Sequence, residues 1–387
     1  MREPEAFLRW VLDHPDLDGP RLIYADWLDD RGHSRGEFIR AQCAVAQLSP
    51  GDPRRDELQA RADELLKLHQ LDWVGPLKPM VSGWRFHRGF VDTVYVEARR
   101  FLSHADELFT LAPIRNVHLL DLGGRIGAIA ASPHLARVAS LTIFASHTGD
   151  SVARALAESP YVTNLNELNL GRNRVSDDGV AALAASPYLT NLAALDLGEN
   201  LIGESGALAL AASPRLGQLG TLGFSHNAAG TAGAHSLLAS SRLNKLFALK
   251  IGYNGVTQIL PLDDAPLLRR LRLLDLSGNS LDGAGIGPLV ASPNLLGLHT
   301  LNISHNALGD DGAEVLALSP NLAGLRTLLL SDNRISDAGV RILAASPHLS
   351  GLTTLKLSNN PIGDGGIQAL QDSPFLSRVS RIIAADG

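Results

Sequence analysis

"SPYVTNLNELNLGRNRVSDDGVAALAA", residues 159–185, is followed at once by "SPYLTNLAALDLGENLIGESGALALAA", residues 186–212. The same frame returns as "SPNLAGLRTLLLSDNRISDAGVRILAA" (319–345) and "SPHLSGLTTLKLSNNPIGDGGIQALQD" (346–372). An asparagine recurs at its centre: Asn173, Asn200, Asn227, Asn254, Asn279, Asn306, Asn333 and Asn360, at spacings of 27, 27, 27, 25, 27, 27 and 27. A fixed period of this length marks a solenoid and overrides any count of globular domains taken from chain length.

Each part of the repeat has a physical reading. The L-x-L core is of period two, so Leu168 and Leu170 point inward from a short strand and Asn169 points outward. The recurrent Asn follows, where the chain turns inward; its amide suits a buried ladder that satisfies backbone groups of adjacent coils. An acidic residue four positions on (Asp177, Glu204, Asp310, Asp337, Asp364) suits a helix N-cap. About two helical turns follow, and Ser-Pro stops them. The 25-residue repeat, "GVTQILPLDDAPLLRRLRLLDLSGN" (255–279), lacks the acidic cap and holds Pro261 and Pro266 close together. It predicts missing or 3-10 helix over 257–266, with the strand at 272–276 still in register. The glycines and Pro288 of "GAGIGPLVAS" predict a short helix in the next coil.

The pattern resembles the leucine-rich repeat family, in its long, helix-bearing, ribonuclease-inhibitor-like class. "FVDTVYV", "VHLLDL" and "VASLTIF" extend it toward the N-terminus and "RVSRIIA" toward the C-terminus, giving about 12 strands; Ser146 stands where an Asn is expected. The expected fold is therefore an α/β leucine-rich-repeat solenoid over 76–387. Parallel strands stack ~4.8 Å apart and packed helices about 8–10 Å apart, so the stack should bend into a horseshoe with a concave parallel β-sheet and convex helices.

A solenoid exposes apolar core at its ends, and residues 1–75 are the expected small N-terminal α-helical cap. "EPEAFLRWVLDHP", "GPRLIYADWLDD", "SRGEFIRAQCAVAQL" and "DPRRDELQARADELLKLHQ" each read as an amphipathic helix. In the second, Leu22, Ile23, Trp27 and Leu28 form an apolar stripe, while Asp26, Asp29 and Asp30 share a face within reach of Arg21, Arg31, Arg35 and Arg40. The Y-A-D-W-L-D-D-R-G and R-G-E-F-I-R segments are similar to the short bacterial repeat-companion domain, over about residues 3–48. "WVGPL…WRFHRGFVDTV" looks like the connector seen in such proteins. That resemblance implies an architecture and no activity.

Catalytic signatures are missing from the sequence: there is no phosphate-binding loop, H-E-x-x-H, G-x-S-x-G or calcium-binding loop. The single cysteine, Cys43, sits on an apolar helix face, which reads as a buried inert thiol in a reducing compartment. A net charge of −6 argues against nucleic acid or an anionic membrane as partner. "MREPEAFLRW" lacks the pattern of a secretion signal, so a cytoplasmic protein is expected. No metal, cofactor or enzymatic activity is expected, and the chain is read as a monomer.

What varies while the frame repeats is the outward strand row (Tyr95, Asp121, Thr142, Asn169, Asp196, Gly223, Lys250, Asp275, Asn302, Leu329, Lys356) and the residue before each Asn. The expected function is an adaptor or scaffold that binds a partner protein through the concave sheet and adjacent rim. The expected contact patch is Asp196, Glu199, His226, Lys250, Tyr253 and Asp275, with Tyr253 as the large anchor. The alternative is a regulator of an enzyme such as a GTPase, or an activity in the N-terminal helices.

Overall fold

The computed structural model describes residues 3–262, 265–379 and 381–383. The chain divides into two compact units, Met1–Ser146 and His147–Gly387.

The first unit opens with four helices: α1 (Glu3–Asp13), α2 (Asp18–Asp29), α3 (Arg35–Gln47) and α4 (Arg54–Val74). An antiparallel hairpin follows, β1 (Gly83–His87) and β2 (Phe90–Glu97), then α5 (Ala98–Leu111), β3 (Asn116–Leu120), α6 (Ile126–Ala130) and β4 (Ser140–Thr142). Strands β2, β3 and β4 pair in parallel order. Helix α3 is apolar on two sides, which explains its central place. Ile39 and Cys43, one turn apart, join Val11, Ala25, Leu28 and Phe90; Phe38 and Ala41 join Ala62 and Leu65 on α4.

Two expectations about α2 are corrected here. Its apolar stripe does not include Ile23, which is 43% exposed; Tyr24 turns inward instead and packs on Phe90. Of the four arginines expected against the acidic face, Arg40 takes the role, pairing with Asp26 at 3.0 Å and with Asp29. Arg31 lies 4.1 Å over the Trp27 ring, and Arg21 and Arg35 reach the turn between β1 and β2. Asp26 and Asp30 are exposed.

In the second unit a helix, a strand and a turn alternate. The helices are α7 (Asp150–Glu158), α8 (Asp177–Ala185), α9 (Glu204–Ala212), α10 (Gly230–Leu238), α11 (Gly283–Ala291), α12 (Gly309–Leu318), α13 (Asp337–Ala344) and α14 (Asp364–Gln371). Between them lie β5 (Glu167–Asn169), β6 (Ala194–Asp196), β7 (Thr221–Gly223), β8 (Ala248–Lys250), β9 (Leu273–Asp275), β10 (Thr300–Asn302), β11 (Thr327–Leu329), β12 (Thr354–Lys356) and β13 (Arg381–Ile383). Of the closing "RVSRIIA", residues 380 and 384 lie outside the described residues. Strands β5 to β13 pair in parallel, in sequence order and in one register, with Leu168, Leu195, Leu222, Leu249, Leu274, Leu301, Leu328 and Leu355 as the central row. That register is fixed because a one-residue slip would turn these leucines, all at most 2% exposed, toward solvent. About 12 strands were expected and 13 are described; the unexpected one is β1, which lies in the segment read as a connector.

Three hydrogen-bond ladders tie the coils together. In the first, each Asn from Asn200 to Asn360 reaches back to the preceding coil. Asn200 Oδ1 accepts from the Val175 N–H (2.9 Å) while Nδ2 donates to the Leu170 carbonyl (3.0 Å); Asn333 repeats this with Leu308 and Ile303. Six of the eight are buried, but Asn227 and Asn360 are half-exposed.

The second ladder was not read from the sequence. Ser186, Ser213, Ser319 and Ser346, each before a proline, and Ser240, before Ser241, donate from Oγ to the carbonyls of Ala157, Ala184, Val290, Ala317 and Ala211 respectively at 2.5–2.7 Å. These carbonyls belong to the last turns of the preceding helices, where a carbonyl has no N–H donor within the helix itself. Ser therefore closes the neighbour's helix, and Pro stops its own.

The third ladder corrects the expected N-caps. Asp177, Asp310 and Asp337 lie inside their own helices, in the first turn, and their carboxylates accept from the N-termini of the following helices. Asp177 takes the N–H groups of Gly203 (2.6 Å) and Gly206 (3.0 Å). Asp310 takes the N–H and Oγ of Ser336 (2.8 and 2.6 Å) and the N–H of Gly339 (3.0 Å). This explains the glycine of the repeat: a Cβ at Gly339 would stand 2.4 Å from Asp310 Oδ1. Glu204 has no such target, since the Gly230 N–H donates to the Asn254 carbonyl instead.

In the 25-residue coil, residues 255–262 contain no helix, a 3-10 turn runs over Pro266–Arg269, and β9 stays in register; Asp263 and Asp264 lie outside the described residues. Val256, Ile259, Leu262 and Ala265 are buried, supplying the apolar face a helix would have given. The expectation of a short helix in the next coil fails. Helix α11 has nine residues, as do α8 and α9. Asp282 caps it by accepting from the Gly285 N–H at 2.7 Å, and its buried Ile286, Leu289 and Val290 outweigh the one hydrogen bond lost at Pro288.

Candidate functional site

Two parallel rows of side chains leave the sheet of the second unit. The first consists of the last residue of each strand: Asn169, Asp196, Gly223, Lys250, Asp275, Asn302, Leu329 and Lys356 stand in register. Four of these turn one oxygen back onto the chain. Asn169, Asp196, Asp275 and Asn302 accept from the N–H two residues on at 2.9–3.1 Å, which fixes the exit of the strand. Asp196 and Asp275 of the expected patch thus hold the turn with one oxygen and offer the other. Lys250 is exposed.

The second row precedes the Asn ladder, and every member has left-handed backbone. Arg172, Glu199, His226, Tyr253, His305, Asp332 and Asn359 have φ of 55–59°, and Gly278 has 63°. For a residue with a Cβ this conformation costs about 1–2 kcal/mol, and the hydrogen-bonded Asn behind each position holds the turn against that cost. Its side chains project outward as a consequence. His226 and Tyr253 stack with ring centroids 4.2 Å apart and planes within 8°. Gly278 gives the Tyr253 ring room: a Cβ there would sit 2.3 Å from it. Across that gap the Tyr253 ring stands 6.3 Å from His305, whose Nδ1 lies 3.3 Å from Asp332, which also accepts from Asn359. At the other end, Arg172 pairs with Glu199 at 2.5 Å.

The structure thus brings His226 and Tyr253 together, sets Asp196, Lys250 and Asp275 in the adjoining strand row, and commits Glu199 to Arg172. His305 was missed as a member of the aromatic run, and Asp332 as the carboxylate beside it. The signal that could have found them is the glycine at 278, the one position in the row without a side chain to separate its neighbours.

The first unit carries a related pair. Tyr95 stacks on His118 at 4.3 Å, with Arg85 5.8 Å over the Tyr95 ring. His118, in register with Tyr95 and Thr142, occupies the outward place expected for Asp121. Val117 and Leu119 are the inward residues, leaving Asp121 beyond β3 with φ of 44°. Burial, with a smaller effect of Arg85, lowers the His118 pKa below its ordinary value. Phe144 is 47% exposed.

Reactive chemistry finds little support in the geometry. Burial and the Asp18 carboxylate push the Cys43 thiol up to about 12, the reverse of what a nucleophile needs. Among the described residues no group of three or more His, Cys, Asp or Glu could hold a metal ion, and no helix is long and apolar enough to cross a membrane.

The family model described as "Leucine Rich repeat" matches residues 163–184, 188–211, 298–317, 325–344 and 348–370. No curated protein matches the chain. Among solved structures, an internalin from Listeria monocytogenes strain 4b F2365 is similar at 25% identity, over 71% of this chain and 67% of that one, with a TM-score of 0.46. Strand, asparagine turn and helix recurring in one register, with the family model on five of these segments, make the fold an α/β solenoid of leucine-rich repeats.

Proposed function

We propose that the chain is a non-catalytic protein-binding module, an adaptor or scaffold that recognises a partner protein through the strand-end row and the left-handed row of the second unit. The observation that supports this is the exposed run His226–Tyr253–His305, flanked by Asp196, Lys250 and Asp275. Its side chains sit on strained backbone that the Asn ladder keeps fixed, so the surface enters binding already ordered and loses little conformational entropy. Tyrosine with charged neighbours is the composition of a binding hot spot. The mixed charge selects a partner with complementary polar groups around an apolar or planar contact.

In this reading the repeats are of the ribonuclease-inhibitor-like class and residues 1–75 are a repeat-companion-like cap on 76–387. The protein is a cytoplasmic bacterial monomer, its partner a protein rather than nucleic acid or membrane. The single buried thiol and the net charge of −6 support that setting.

The test is site-directed photo-crosslinking. A photoreactive residue at 253 should give a discrete adduct with a single partner in native lysate, whereas one at Leu208, exposed on α9, should not. Equal adducts from both positions would overturn the assignment of the surface.

A further inference from the structure

The turn between β1 and β2, His87-Arg88-Gly89-Phe90, is held at Arg88, Gly89 and Phe90 by α2, α3 and the loop before α2. Arg21, 2% exposed, donates to the Pro15 carbonyl ahead of α2 at 2.7 Å and reaches the Arg88 carbonyl at 3.5 Å, and Arg35 donates to the Gly89 carbonyl at 3.4 Å. The Gly89 N–H donates to Gln42 Oε1 at 2.7 Å. The Phe90 ring, 1% exposed, lies 5.2 Å from the Arg21 guanidinium and 5.0 Å from that of Arg35, with Tyr24 at 5.8 Å. Arg88 itself donates to the Asp16 carbonyl at 3.0 Å and pairs with Asp18 at 3.3 Å.

A cover for apolar surface needs none of this. Burying two guanidinium groups is costly, and burial lowers the pKa of both arginines. Such groups are retained where they recognise something, here two backbone carbonyls and an aromatic face. The requirement for glycine is equally specific. Gly89 has φ of 84°, and a Cβ there would lie 2.2 Å from Ile39 Cγ1. Arg35, Ile39 and Gln42 are spaced four and three residues apart, so one face of α3 carries all three contacts.

We propose that the N-terminal helices α1–α4 are a turn-reading module: their ligand is a β-hairpin turn bearing a left-handed glycine followed by phenylalanine, and in this chain the occupant is the chain's own Arg88-Gly89-Phe90. The segments similar to the repeat-companion domain thereby gain a role, since R-G-E-F-I-R-A-Q supplies Arg35, Ile39 and Gln42. The site is separate from the rim of the second unit and stands or falls independently of it.

The test uses the full chain with Gly89→Ala, which alters the ligand and leaves the receptor intact. The probe is a cyclised hairpin peptide of residues 83–97. Amide hydrogen exchange should speed up in α2 and α3 of the variant and stay unchanged over residues 160–360. The native-sequence peptide should bind the variant and restore protection, and should not bind the wild-type chain, whose site is occupied. A second change, Arg35→Ala, should weaken peptide binding about tenfold or more. Unchanged protection in the Gly89→Ala chain would overturn the proposal. So would failure of the native peptide to restore protection, or equal restoration by a peptide carrying alanine at 89.

Discussion

The two units solve the same problem, satisfying backbone groups around a thin core, in opposite ways. In the second unit an asparagine in coil after coil, with a serine or an aspartate in several of them, repeats the same bond to the coil before or after. No single bond is decisive, because its neighbours make it again. In the first unit the contacts around the β1–β2 turn are singular: the left-handed Gly89 against Ile39, and Phe90 between two arginines. Repetition leaves the outward positions free to vary, whereas the singular arrangement fixes nearly every residue it uses. That contrast is why the variable surface is sought in the second unit and the specific internal contact in the first.

The contrast can be broken by mutation, and the largest effect belongs to the singular unit. Phe90→Ala should cost about 3–5 kcal/mol, from lost burial and an unfilled cavity. In urea denaturation followed segment by segment, the loss should fall on residues 1–146. An equal loss in both units would mean the singular contacts are not confined to the first.

Within the repeats the effects should be smaller and graded by burial. Asn333→Ala leaves backbone groups of the preceding coil unpaired and should cost about 1–3 kcal/mol, while Asn227→Ala, at a half-exposed rung, should cost less. Ser346→Ala, which frees the Ala317 carbonyl, should cost about 1 kcal/mol. Equal melting of Asn333→Ala and the parent would remove the asparagine ladder from the account.

Much of this was legible in the sequence because periodicity is a global signal: the spacing of Asn173 to Asn360 shows the coils and the leucine row shows the register. What could not be read were contacts between residues in different coils. Asp177 looked like a cap for its own helix because local spacing permits it; that its carboxylate reaches Gly203 depends on how coils stack. Ser-Pro showed its proline and hid its serine for the same reason. The degenerate coil around Asp121 misled by one register position, since Leu120 and Leu122 imitate the inward pair that Val117 and Leu119 form. Arg21 and Arg35 appeared to answer nearby aspartates; instead Arg21 donates to the Pro15 carbonyl and, with Arg35, reaches partners some fifty or more residues away, at 88–90.

The carboxylate ladder adds a pH dependence of known sign. Burial would raise the Asp310 pKa, but hydrogen bonds from Ser336 and Gly339 outweigh it and hold the carboxyl below its ordinary 3.8. A depressed carboxylate stabilises the fold fully above its unfolded value, and that contribution is lost as pH falls through the folded one. Acid unfolding of Asp310→Asn should therefore be less steep below about pH 4 than that of the parent. Identical acid limbs would show that the ladder carries no charge-dependent stability.

The smallest effect on stability should come from the surface proposed to matter most for function. Tyr253→Ala removes a side chain 40% exposed and should change stability by no more than ~0.5 kcal/mol. The decisive measurement is its effect on binding. With the crosslinked partner purified, Tyr253→Ala and Lys250→Glu should each weaken affinity by at least ~1 kcal/mol at unchanged melting temperature. If neither does, while Tyr95→Ala or Phe144→Ala does, the recognition surface is not the rim of the second unit and the proposed function loses its site.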